Sequence, residues 1–204
     1  RFVIKTFKKF ILICLLSLIS SNTFSNEFEI KAEKVNYNNT EGKIIAEGNA
    51  SAFNRDGKKI FANKIIYLRN IGIIQTYGDS KFTDNNKVLT ADRFSYNINS
   101  KIINAIGNVI FTDKDNNKFF FKKFIYNEIK GTGTGDEIVA KTSDGSYLRS
   151  KSGELDNKNK LVKLENGEFT SCSKIKNDKG EFCPSWSLKS KKIIHDKKKK
   201  NNYT

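Results

Sequence analysis

Histidine occurs once in this chain of 204 residues, and methionine not at all. A single imidazole, His195, leaves no Ser/His/Asp arrangement with recognisable local context, and neither an HExxH motif nor a paired-carboxylate signature is present. Catalysis is therefore not expected. Cysteine is scarce too: Cys14 falls inside an apolar N-terminal run, which leaves only Cys172 and Cys183 beyond it. Two thiols without a CxxC and one distant histidine do not make a tetrahedral site, so neither a metal nor a cofactor is expected. The run Gly131-Thr132-Gly133-Thr134-Gly135-Asp136 lacks a following Gly-Lys-Ser/Thr, so it reads as a turn before a strand at Ile138 to Ala140 and not as a phosphate loop. Long apolar runs at helical spacing are missing after residue 26, which excludes a helical domain. With Arg1 at its start and no methionine, the chain looks like a piece of a longer open reading frame.

What the chain does have is an internal repeat. Tyr37, Tyr67, Tyr96, Tyr126 and Leu155 follow one another at intervals of 30, 29, 30 and 29 residues. Ala32, Ala62 and Ala91 keep the same step, as do Gly48, Gly78 and Gly107. A fixed period of this size signals a stacked architecture in which each unit hides its apolar face against its neighbours.

Within each unit apolar and polar residues alternate, the signature of strands. Phe28, Ile30 and Ala32 alternate, then Val35 and Tyr37 continue one residue out of phase, which a bulge or corner near Lys34 explains. The skip recurs in Ile60, Ala62, Ile65, Tyr67, in Leu89, Ala91, Phe94, Tyr96, and in Phe119, Phe121, Phe124, Tyr126. Clusters such as Asn38 to Gly42, Asn54 to Gly57 and Asp156 to Asn159 are turns. The fold class that follows is all-β, a roll of repeated strand pairs with about eleven short strands.

Residues 1 to 25 are a different object. Arg1, Lys5, Lys8 and Lys9 precede the apolar stretch Phe10 to Ile19, which is too short to span a bilayer comfortably, and small or polar residues follow. This is the pattern of a secretory signal peptide, cleaved near Asn26 after Thr23 and Ser25. Export would put Cys172 and Cys183 in an oxidising compartment, where a disulfide between them would stabilise the fold by roughly 3 kcal/mol.

The formal net charge is +15, and the cations of the signal segment account for four of these positive charges. Lys189, Lys191, Lys192 and Lys197 to Lys200 hold much of the rest. Nucleic acid is not the expected partner, because an exported chain rarely meets it and the strands lack an interleaved Arg and aromatic surface. Lysines decorating solvated faces, or favouring an anionic membrane or phosphorylated lipid, are the readings that remain.

The inner face of such a roll is lined by Ile, Val, Phe and Tyr with small residues between them. Closed on itself it is an ordinary core; open, it is a groove for an acyl chain. By alternation the lining candidates are Ile30, Val35, Tyr37, Ile65, Tyr67, Phe94, Tyr96, Phe121 and Phe124. Two sets of residues resemble a known family. The repeated strand Ala32-Glu33-Lys34-Val35-Asn36-Tyr37, matched by Ala91-Asp92-Arg93-Phe94-Ser95-Tyr96, and the pairs Gly48-Asn49 and Gly107-Asn108 resemble the OstA-like β-jellyroll of lipopolysaccharide transport. Thr170-Ser171-Cys172, Cys183-Pro184-Ser185-Trp186-Ser187-Leu188-Lys189-Ser190 and Ile193-Ile194-His195-Asp196 resemble the junction between jellyroll and barrel in the LptD-type outer-membrane assembly proteins.

The resemblance implies a signal peptide at 1–25, a periplasmic jellyroll at 26–185, and at 186–204 a last strand and junction towards an outer-membrane β-barrel. It implies that lipopolysaccharide is received from a periplasmic bridge protein, carried inside the roll and passed to the barrel, with a lipoprotein plug as partner. The bridge would add its strand to an open edge, for which Phe28, Ile30 and Ala32 are the candidates by position. In that family jellyroll cysteines also pair with the barrel, so the partner of Cys172 or Cys183 stays open. A stand-alone soluble bridge of the same class is the alternative; a β-helix enzyme or adhesin would need a carboxylate cluster that the sequence does not offer.

Overall fold

The computed structural model describes residues 28–113, 116–141, 146–156, 158–159, 161–171, 180 and 184–196. Fourteen strands join in one antiparallel sheet. The first nine are β1 Glu29–Lys31, β2 Lys34–Asn38, β3 Lys43–Phe53, β4 Lys59–Leu68, β5 Ile73–Tyr77, β6 Ser80–Asp84, β7 Lys87–Ala91, β8 Arg93–Asn97 and β9 Ile102–Thr112. The last five are β10 Lys118–Asn127, β11 Thr132–Lys141, β12 Tyr147–Asp156, β13 Leu161–Thr170 and β14 Leu188–Asp196. Three pairs, β1 with β2, β5 with β6 and β7 with β8, are single passes of the chain broken at a corner. The eleven passes expected from the repeat thus become fourteen strands.

Each pass crosses two facing walls. The first wall contains β1, β6, β7 and one half of every long strand; the second contains β2, β5, β8 and the other halves. Register explains the repeat. Antiparallel pairing brings Tyr37, Ile44, Tyr67, Ile74, Tyr96, Ile103, Tyr126, Gly133, Leu155 and Val162 side by side along the second wall. Two passes consume about 30 residues, so every second position in this row is the repeated aromatic or leucine. On the first wall a parallel row runs Ile30, Ala52, Ile60, Phe82, Leu89, Phe111, Phe119, Ala140, Leu148, Phe169, Leu188. Both rows face inwards, and this is the open β-jellyroll.

The phase skip read in the sequence is the corner between the walls. At Glu33, Asn63 and Asp92 the backbone N–H of the first donates to Gly48, of the second to Gly78 and of the third to Gly107, at 3.0, 3.0 and 2.8 Å. The glycines that accept have positive φ, as do the following residues Asn49, Asp79 and Asn108. Side chains clasp the same corner: Asn49 donates to Glu33 at 2.7 Å and Asn108 to Asp92 at 3.1 Å. At Gly107, with φ +79, a Cβ would run into the Asp92 carboxylate, so glycine is needed there for both backbone and space. At the far rim, Asn38, Asn97, Asn127 and Asp156, each just after the repeated row residue, accept backbone N–H groups in Asx turns.

One sequence expectation is corrected. Thr132 to Asp136 are not a turn but the start of β11. Gly133 and Gly135 are there because of what lies above them: a Cβ on Gly135 would sit 2.5 Å from the Phe121 ring, and one on Gly133 3.2 Å from the Tyr126 ring. Large residues on the neighbouring strand occupy the space that a side chain would take, and the aromatic rings shield the glycine backbone.

Candidate functional site

The trough between the walls is closed from β3 to β9. Phe82 of the first wall meets Phe94 and Tyr96 of the second at ring-centroid distances of 6.2 and 5.4 Å, and Phe28 packs edge-on to Tyr96 at 6.2 Å. Ile60, Ile65, Ile74 and Tyr96 are fully buried in this core. The rims close above it. Lys58, from the β3–β4 turn on the first wall, reaches Asp84 at 2.7 Å and crosses to Glu128, at the end of β10 on the second wall, at 3.1 Å.

The other oxygen of Glu128 accepts the Tyr96 hydroxyl at 3.2 Å, and the Lys58 ammonium lies 5.5 Å from the Phe82 ring centre. Burial pulls the Lys58 pKa down, but its hydrogen bonds to Asp84 and Glu128 and their charges outweigh that, so the net shift is upward. Burial, followed by the charge and hydrogen bond of Glu128, pushes the Tyr96 phenol up as well. Lys58 therefore stays charged at neutral pH, with the Phe82 ring beside its ammonium.

Beyond β9 the closure loosens, although Ile138, Ala140 and Leu164 are still buried. A ladder of rings runs from Phe119 to Phe111, Phe124 and Tyr126 with centroid spacings of 6.2, 5.9 and 6.1 Å, and Phe121 stacks on Phe124 at 4.6 Å. Only Phe124 of these five is buried; the others are partly open to the trough. Further along, Leu148, Leu155, Val162 and Phe169 remain half-exposed on the inward rows, and Leu188 is 62% exposed. Trp186 stands edge-on to Phe169 at 6.1 Å, extending this apolar lip. Gly133, Gly135 and Gly153 on the same face lie under neighbouring side chains, the first two under Tyr126 and Phe121 and the third under Ile138 and Leu164. Such a surface offers no acid, base or nucleophile aimed at a common point. It can hold an apolar chain.

The lining candidates divide accordingly. Ile65, Tyr67, Phe94, Tyr96 and Phe124 lie in the buried core, and Ile30 and Phe121 pack against it half-buried. Val35 and Tyr37 share the inward row but sit on β2 at the sheet edge, 48% and 50% exposed, with the Tyr37 hydroxyl accepting from Arg69 at 3.2 Å. Of the edge candidates, Phe28 puts its ring in the core while Ile30 pairs with Ala52. Among the described residues β1 pairs with β3 alone, which leaves the other side of its backbone open; Ala32 follows it. Cys172 and Cys183, and the signal segment, lie outside the described residues. Sequence reasoning missed Phe111, Phe119, Tyr126, Leu148, Leu155 and Phe169. Their signal was the row itself, carried through to β13. On the outer side of the second wall a shallow cavity of about 280 Å³ is lined by Ile102, Ile125, Thr134 and Lys163 among others.

No family model matches the chain, and no curated protein does. Among solved structures it is similar to LptH, described as the LptA-homologous periplasmic component of the conserved lipopolysaccharide transport device from Pseudomonas aeruginosa. The TM-score is 0.46 at 12% sequence identity, over 51% of this chain and 78% of that one.

Proposed function

We propose that this domain takes part in lipopolysaccharide transport, sheltering acyl chains in the open stretch of the trough along β10–β14. The observation that carries the reading is the run of partly exposed inward residues, Phe119, Tyr126, Leu148, Leu155 and Phe169. At ~0.8 kcal/mol per methylene, leaving a twelve-carbon chain in water costs on the order of 10 kcal/mol, so a multi-chain lipid needs continuous cover between membranes. Exposed apolar rows of this length are explained by such a cargo.

The finer reading follows from the sequence resemblance at Cys183 to Ser190. An LptD-type protein would receive the lipid in the periplasm from a bridge protein docked on β1 and hand it to an outer-membrane barrel plugged by a lipoprotein. A stand-alone bridge has one observation in its favour: among the described residues β14 pairs with β13 alone, so both ends of the sheet offer a strand edge for end-to-end addition. The frame beyond residue 204 separates the two, since a barrel requires alternating segments of about ten residues with aromatic girdles.

The function is tested by displacement of a fluorescent fatty-acid probe from the full chain. Lipopolysaccharide is expected to compete while its deacylated form does not. Failure of the probe to bind, or equal competition by both forms, overturns the proposal.

A further inference from the structure

The two walls differ on their outward sides as well, and this difference is independent of what the trough holds. Outward positions of the second wall mix signs and neutralise one another: Lys64 pairs with Glu47 at 2.7 Å and Lys163 with Glu154 at 3.6 Å. The first wall is predominantly cationic. Its outward rows present Lys59, Lys81, Lys118 and Lys141, while the carboxylates on them, Glu29 and Glu168, are paired with Lys31 and Lys189 at 3.1 and 3.5 Å, and Arg149 stands opposite Glu168.

Among the described residues no carboxylate lies within ion-pair distance of Lys59, Lys81, Lys118 or Lys141. Lys118 and Lys141 are direct cross-strand partners. Like charges so placed repel unless a counter-charge lies over them.

Aromatic side chains stand between the lysines on the same rows. Phe53 and Phe61 pack edge-on at 5.7 Å, with Phe61 36% exposed; Phe120 is half-exposed, and the Lys141 ammonium lies 5.6 Å from the Tyr147 ring centre. Cations that do not converge on one point, with half-exposed rings between them, do not fit a compact anion. They fit an extended anionic surface with an apolar layer beneath it. Lysines reach the headgroups there and the rings sit at their level.

We propose that the outward side of the first wall is a docking surface for an anionic phospholipid bilayer. It turns the second wall away from the membrane. The test is co-flotation of the full chain with phosphatidylcholine vesicles containing phosphatidylglycerol. One variant neutralises the first wall (K59Q/K81Q/K118Q/K141Q), and a control removes the same charge from the second (K34Q/K64Q/K123Q/K163Q). Thermal melts confirm that both fold.

At roughly fivefold per lysine near an anionic surface, the four-lysine first-wall variant is expected to lose about 600-fold in apparent affinity, and the control far less. Salt should abolish the difference. Equal losses in the two variants would mean that net charge alone binds. An unaffected first-wall variant, or tighter retention of the chain on heparin than on vesicles, would also overturn the assignment.

Discussion

Strands β3–β9 and β10–β14 are built from the same repeat on the same two inward rows, yet one stretch is a closed core and the other a more open trough. The difference lies in a few positions. Ile44, Ile74 and Ile103 occupy the even places of the second-wall row in the first stretch; Gly133 and Val162 occupy them in the second. Connectivity is the same throughout, each pass pairing with the next, but the passes broken at a corner, β1/β2, β5/β6 and β7/β8, all lie in the first stretch. Among the described residues the rim latch, Lys58 with Asp84 and Glu128, ties the first stretch to the end of β10. A repeat can thus set the wall geometry while single side chains decide whether the space between the walls is filled.

The sharpest way to break the comparison is to empty a side chain from each stretch. Phe82→Ala is expected to cost about 4 kcal/mol in urea unfolding, since its ring sits between the two walls. Phe169→Ala, half-exposed, should cost about 1 kcal/mol or less. Glu128→Ala comes next: it leaves Lys58 buried with Asp84 alone and deprives the Tyr96 hydroxyl of its acceptor, for about 3 kcal/mol. Hydrogen exchange should then rise in β4 and β8 but not in β12 or β13.

Gly135→Val drives a side chain into the Phe121 ring and is expected to cost about 2 kcal/mol, with quenching of the ring ladder seen in near-ultraviolet circular dichroism. The smallest effect is with pH. Lys58 and Tyr96 both hold their protons more tightly in the fold than their ordinary values of 10.5 and 10.0. Their contribution is therefore complete below pH 10 and is lost as pH rises beyond it. Melting temperature should fall above pH 10, and Tyr96→Phe should flatten that fall.

The sequence carried the walls because alternation and the 30-residue step are local and periodic. The corner near Lys34, the turns after Asn38 and Asp156, and the all-β class were legible from a few neighbouring residues. Closure was not. Lys58 and Glu128 stand 70 residues apart, and nothing in either segment announces the other. Alternation also cannot tell Tyr96, fully buried, from Tyr37, half-exposed on the same row, because only the pairing order puts β2 at an edge. The glycines of β11 were misread for a related reason. Their meaning lies in Phe121 and Tyr126 on the next strand, not in their own run.

The central claim is that lipid lies in the open stretch and not in the closed one. Photo-crosslinking residues introduced singly at Tyr126, Leu148, Phe169, Ile65 and the outward Thr134, followed by exposure to lipopolysaccharide, test it most directly. Adducts are expected at Tyr126, Leu148 and Phe169 and not at Ile65 or Thr134. Adducts confined to Thr134, or as frequent at Ile65 as at Phe169, would contradict the account.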